Sequence, residues 1–101
     1  MSSKASDFDQ LDGRARTVQA SVVKLATTSL GRESNPPVVD ETLYGTQAGF
    51  DSIALMEFIL RLENEFDFSI PDADLDPEIF RSINTTAAYV LRRLEEMGSL
   101  K

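Results

Sequence analysis

The sequence predicts an all-α bundle of three main helices plus one short helix, with a long loop between the first and second. Three observations carry that expectation. Apolar residues recur at helical spacing in three separate stretches, strand-like alternation is weak throughout, and Pro36-Pro37, Gly45 and Gly49 interrupt the longest gap between those stretches. With 101 residues the chain is one domain with room for a single modest core.

Residues 1–12 are mostly polar, and they are expected to form a flexible N-terminal segment. From there Leu11, Ala15, Val18, Val22 and Leu25 step by four, three, four and three residues along one helical face. Arg14, Gln19 and Lys24 fall on the other side, and Gly31 is placed to stop the helix. The connection over 32–51 contains Pro36-Pro37, which excludes helix. It also holds Val38, Val39, Leu43 and Tyr44, so it is expected to lie against the core. A loop this long in so small a domain is more often functional than idle.

The second helix is expected over 52–66, with Asp51 and Ser52 both suited to accept bonds from unpaired N–H groups at its start. Leu55, Phe58 or Ile59, Leu62 and Phe66 share its inner face, while Met56 and Leu60 form a narrower apolar strip beside it. Pro77 at a first-turn position predicts the short helix around 77–80. Ser82 is placed to cap the last helix, whose inner face is Ile83, Thr86 or Ala87, Val90, Leu94 and Met97, with Gly98 ending it.

Composition narrows the function classes. Hydrophobic residues make up 42% and charged residues 27%, as in an ordinary globular protein. No apolar run approaches the roughly 20 residues a membrane span needs, and the N-terminus lacks the apolar stretch of a secretory signal. A cytoplasmic location fits. The net charge of −7 disfavours nucleic acid and anionic membranes, and favours partners with basic docking surfaces. The absence of histidine and cysteine removes the disulfide framework, the thiolate metal site and the usual bases that activate a nucleophile.

Several apparent sites dissolve on inspection. Asp72, Asp74 and Asp76 imitate the start of a calcium loop, but Pro77 stands where its glycine belongs and Ile83 where its bidentate glutamate belongs. Glu63 with Glu65, and Glu95 with Glu96, read as solvated helix faces with nothing apolar around them to tune a proton transfer. Asn84-Thr85-Thr86 fits a glycosylation acceptor pattern that has no meaning without a secretory signal.

Ser52 is different. Gly49 permits a close turn beside it, Ile53, Met56 and Leu60 put apolar groups next to it, and Glu57, Glu63, Glu65 and Asp67 make its helix acidic. A helix N-terminus also suits an attached phosphate. A serine so placed, with no base in the chain, suggests a residue to be modified. The plain alternative is a serine that only caps a helix.

The stretch Gly49-Phe50-Asp51-Ser52-Ile53 resembles the attachment motif of acyl and peptidyl carrier proteins, in which the serine bears 4′-phosphopantetheine. The likeness continues through Leu62-Glu63-Asn64-Glu65-Phe66-Asp67, Ile70-Pro71, Phe80-Arg81-Ser82-Ile83 and Tyr89-Val90, over about residues 14–97. It implies a four-helix carrier domain over 13–101, non-catalytic and monomeric. Ser52 would be the covalent attachment site, and Asp51 would help position the transferase chemistry and its metal. A separate phosphopantetheinyl transferase would install the arm; a loading ligase or transferase and downstream synthase enzymes would be its other partners. The missing cysteine then makes sense, because the reactive sulfur arrives with the prosthetic group.

By the same resemblance Ile53, Met56, Glu57 and Leu60 fall where carriers meet their enzymes, although Met56 and Leu60 equally suit the edge of a core. Docking is expected to be weak and electrostatic around a small apolar centre. A groove near Leu55, Phe58, Ile59 and Ile79 is expected to shelter a short acyl chain. The chain departs from bulk fatty-acid carriers where Ala54, Arg61 and Asn64 interrupt the acidic row, and in Arg92-Arg93. It also lacks the Gly-Gly-His-Ser frequent in peptidyl carriers. Those departures favour a specialised free-standing carrier in polyketide, lipid or related synthesis, read as an acyl carrier, with an aminoacyl or peptidyl carrier loaded by an adenylating enzyme as one alternative. A helical interaction domain in which Ser52 is only a cap is the other.

Overall fold

The computed structural model describes residues 3–98, with side chains from residue 13 onward. Three helices form a bundle: α1 (Ser3–Leu30), α2 (Ser52–Phe66) and α3 (Ile83–Gly98), with a single 3₁₀ turn at Asp72–Asp74. Helix α1 packs against both α2 and α3. Among the described residues there is no strand, only an isolated parallel bridge between Tyr44 and Phe50.

The α1 backbone is helical from Ser3, ahead of the Leu11 at which apolar spacing begins. The side chains of Leu11 and of the rest of the expected 1–12 segment lie outside what is described. Val18, Val22 and Ala26 are buried on the inner face, whereas Leu25 is only partly buried. Steps of four keep 18, 22 and 26 together on this face. Gly31 adopts φ 66° beyond the helix end. Its N–H reaches Thr28 O, and Arg32 N–H reaches Thr27 O, which closes the helix with a left-handed residue at C′.

Helix α2 runs over the expected residues and buries Phe58 and Leu62 fully, with Leu55, Ile59 and Phe66 partly buried. It ends at Asp67, in the left-handed region at φ 56° and donating its N–H to Glu63 O. The Glu63 carboxylate then accepts the Ile70 N–H at 2.7 Å, which ties the following turn back to the helix. In α3, Ile83, Thr86, Ala87, Tyr89 and Val90 are buried. Met97, expected on that face, is exposed near the helix end. The Ser82 hydroxyl accepts the Thr85 N–H and so caps α3.

Two further expectations are corrected. The short helical turn sits at Asp72–Asp74 after Pro71, and 76–81 instead forms successive hydrogen-bonded turns, Ile79 N–H to Asp76 O and Phe80 N–H to Pro77 O. Of Val38, Val39, Leu43 and Tyr44 only Leu43 is buried, at 1% exposure, and the loop lies against the core through it and Phe50 while the other three are exposed. Leu43 enters the core because its N–H bonds Arg81 O and its carbonyl accepts Phe50 N–H, which pins its backbone on both sides.

Candidate functional site

The site is assembled by the end of the long loop. Arg32 staples that loop: it pairs with Glu41 at 2.8 Å and donates to Asn35 O and Ala48 O. Thr46 Oγ1 donates to Thr42 O, and Gly49 N–H bonds Thr46 O. At Gly49 the backbone passes directly over Leu43, so an added Cβ would overlap the Leu43 carbonyl. That close pass allows Phe50 to turn inward, where it stacks on Phe58 at 4.7 Å between ring centroids.

With Phe50 anchored inward, the next two residues face outward. Asp51 is extended, with φ −89° and ψ −175°, and Oδ1 accepts the Ala54 N–H at 2.7 Å. Its carbonyl accepts Leu55 N–H, the first helical bond. Asp51 is therefore the N-cap, and Ser52 is the first helical residue. Ser52 is exposed, and among the described residues its hydroxyl has no hydrogen-bond partner. Capping is accomplished by Asp51 and is not what Ser52 does here.

A hollow of about 530 Å³ opens beside Ser52. Leu55, Met56 and Ile59 line it from α2, with Phe50, Tyr44 and Gly45 from the loop and Leu75 from beyond the 3₁₀ turn. Among the described residues that line it, the one carboxylate is Asp51, whose Oδ1 already accepts the Ala54 N–H. Its lining is mostly apolar and offers contact and shelter beside Ser52.

The residues singled out from sequence separate into four places. Leu55 and Ile59 meet Ser52 and Asp51 in this hollow. Phe58 lies in the core at 1% exposure, and Ile79 lines a different surface hollow with Glu78, Thr85, Ala88, Tyr89 and Arg92. Ile53, Met56 and Leu60 are exposed at 71%, 64% and 61%, which removes Met56 and Leu60 from the core edge. Glu57 is exposed too and faces Arg61 at 3.9 Å. Sequence reasoning missed Tyr44, Gly45 and Leu75 as walls of the hollow. The available signals were the glycine after Tyr44, which adopts φ 83°, and a lone leucine within an acidic stretch.

Elsewhere the acidic ladder is spent on structure. Asp74 accepts from Tyr89 Oη, and Asp76 Oδ1 accepts the Glu78 N–H. Among the described residues no three carboxylates converge on a metal-holding point.

A small helical bundle that lifts an unengaged serine onto the first turn of its second helix has the form of a carrier. Residues 20–90 match the family model described as the phosphopantetheine attachment site. The chain belongs to the phosphopantetheine-binding carrier family. It is similar to aminoacyl carrier protein 1 of Bradyrhizobium diazoefficiens, 31% identical over 80 residues, 77% of this chain and 87% of that relative. Aminoacyl carrier protein 2 of the same organism is 35% identical over 46 residues, 46% of this chain and 52% of the relative. The acyl carrier protein of Desulforapulum autotrophicum is 30% identical over 77 residues, 76% of this chain and 97% of the relative. No solved structure matches the chain. Carriers of this family are generally non-catalytic, and the prosthetic group is covalently bound 4′-phosphopantetheine.

The residues at the α2 start fit such a group. An exposed hydroxyl is open to a transferase, and a phosphodiester there would meet the positive end of the helix dipole.

Proposed function

We propose that Ser52 is the attachment residue and that the chain is a non-catalytic acyl carrier for a specialised biosynthetic pathway. The observation that carries this reading is the division of labour at the α2 start: Asp51 caps the helix, leaving the Ser52 hydroxyl exposed and unengaged. When bound, the prosthetic group supplies a flexible chain ending in a thiol that holds cargo as a thioester. The protein's own residues present that chain: Gly49 and Phe50 fix the approach of the loop, and Asp51 fixes the first turn. Leu55, Met56 and Ile59 offer apolar contact to a short cargo beside the attachment point.

In this reading the partners are a phosphopantetheinyl transferase, a loading enzyme and downstream synthase enzymes. The carrier works as a monomer in the cytoplasm, where coenzyme A, the arm's donor, is at hand.

A second reading is favoured by a specific observation: two of the similar proteins are named aminoacyl carrier proteins. Aminoacyl cargo loaded by an adenylating enzyme uses the same Ser52 and makes less demand on the hollow. Two experiments test these points. Incubation with coenzyme A, magnesium and a broad phosphopantetheinyl transferase should add one arm to the wild type, read by intact mass, and none to Ser52→Ala. A wild type that gains nothing from several transferases, or an arm that persists in Ser52→Ala, overturns the assignment. Loading the armed protein with acyl against aminoacyl donors then separates the two cargo classes.

A further inference from the structure

Behind the Ser52 hollow stands a row of three aromatic rings. Phe50, which lines the hollow, stacks on Phe58 at 4.7 Å between centroids, and Phe58 meets Phe80 edge to face at 6.4 Å. Both separations are those of packed aromatic pairs, so no methylene chain passes between the rings. All three phenylalanines are buried, and they come from three places: the long loop, α2 and the segment ahead of α3.

The row is rooted at each member. The Phe50 N–H bonds Leu43 O, and the Leu43 N–H in turn bonds Arg81 O. Phe58 sits in the middle of α2, and the Phe80 N–H bonds Pro77 O. Moving the Phe50 ring into solvent would give up its buried stack on Phe58. On the other side of the hollow the rim residues Tyr44, Met56 and Leu75 are all exposed. Whatever lies in the hollow is therefore covered on one side only.

We propose that Phe58 is the residue that limits the cargo. It backs the floor of the hollow and closes the core to an acyl chain. The carrier is thereby confined to short or compact acyl and aminoacyl groups held in the open hollow. This rests on the carrier reading, with the arm on Ser52. A long chain finds no enclosed room and leaves its thioester within reach of solvent. Removing the middle ring would join the hollow to an apolar space on the order of 100 Å³, of the kind that stays dry and takes an apolar guest.

The test uses the full chain. A broad phosphopantetheinyl transferase given acetyl-, hexanoyl- or decanoyl-coenzyme A places each acylated arm on Ser52 in one step. Hydroxylamine then takes the acyl group as its hydroxamate and leaves the free thiol. That loss is read by intact mass and referred to the same thioester on free coenzyme A. In the wild type the three referred rates should agree within about twofold, because a chain covered on one side is sequestered less than about half the time. In Phe58→Ala the decanoyl thioester should be cleaved about tenfold more slowly than the acetyl one, since burial gains with each methylene that enters the new space. Phe58→Val should give a smaller effect of the same sign, and it replaces the alanine variant if that variant loses its helical circular dichroism. A decanoyl thioester shielded severalfold in the wild type overturns the proposal, as does a folded Phe58 variant whose rates do not depend on chain length. Ser52 remains the attachment residue in both cases. A wild type that takes no arm from any of the three donors overturns the carrier reading itself, before any cargo is compared.

Discussion

The Tyr89 hydroxyl donates a 2.7 Å hydrogen bond to Oδ2 of Asp74, and Arg93 Nη1 donates to the same hydroxyl at 2.9 Å. Arg93 also reaches Ser69 O at 3.0 Å and lies 5.1 Å from the Phe68 ring centroid. This network ties α3 to the segment that carries Leu75 into the wall of the Ser52 hollow. Tyr89 is only 2% exposed, so removing its hydroxyl leaves Asp74 and Arg93 short of a buried partner. Tyr89→Phe is expected to cost about 1–2 kcal/mol, read as a lower urea midpoint at unchanged m.

The same tyrosine gives a pH dependence. Burial, and next the bond to the Asp74 carboxylate, raise its phenol above the ordinary value, against the opposing pull of Arg93. A raised folded-state value means the contribution is fully present below the unfolded pKa of about 10 and is lost as pH rises through the folded value. In a Tyr44→Phe background, where Tyr89 is the sole phenol, phenolate absorbance should appear above the ordinary tyrosine range. The stability advantage over Tyr44→Phe/Tyr89→Phe should shrink across the same alkaline window.

Arg32 and Glu41 work in the opposite pH direction. The bond from Arg32 is the main reason the Glu41 carboxyl sits below its usual range, with burial opposing and the Val38 N–H and the Arg32 charge adding to it. The two side chains are 15% and 26% exposed, so the pair is better shielded than a surface ion pair. A lowered folded-state value means the contribution is present above the unfolded value, about 4.3, and is lost as pH falls through the folded one. Glu41→Gln should therefore be less stable than the wild type at neutral pH. Urea midpoints of the two proteins should converge on acidification below that range.

Gly49 and Gly13 should respond oppositely to alanine. A Cβ at Gly49 overlaps the Leu43 carbonyl, the acceptor of the Phe50 N–H, whereas nothing lies within contact of one at Gly13 inside α1. Gly49→Ala is expected to cost about 1–3 kcal/mol. It should also slow arm transfer to Ser52, because the loop that presents α2 must shift. Gly13→Ala should gain roughly 0.5–1 kcal/mol through helix propensity. Thermal unfolding of the two variants beside the wild type checks both signs.

The helices were legible because burial of one face imposes a 3.6-residue rhythm, and α2 and α3 show it cleanly. That rhythm also limited the reading. It put Phe58 on the inner face without distinguishing a core side chain from a wall of the hollow, and the stack with Phe50 decides for the core. The short turn lies at Asp72–Asp74, before the Pro77 that the helix-start rule points to: Pro71 precedes it as N-cap, the Tyr89 hydroxyl holds Asp74, and Pro77 opens only a hydrogen-bonded turn to Phe80. Ser52 stood out through chemistry, as a serine without a base. The walls at Tyr44 and Leu75 depend on how the two loops fold back, a long-range matter that local pattern does not encode.

Asp51 combines two roles that substitution can separate. Its carboxylate caps α2 through the Ala54 N–H, a function that a serine side chain also performs. Its negative charge beside Ser52 is something that serine cannot replace. Asp51→Ala should cost about 1 kcal/mol of stability, and Asp51→Ser only a few tenths. If the carboxylate also helps to position the metal-dependent transferase chemistry, both variants should lose roughly tenfold or more in the rate of arm transfer. Stability from urea unfolding and transfer rate from intact mass then diverge in Asp51→Ser. A serine variant modified at the wild-type rate would reduce Asp51 to a helix cap and leave positioning of the reaction to the transferase alone.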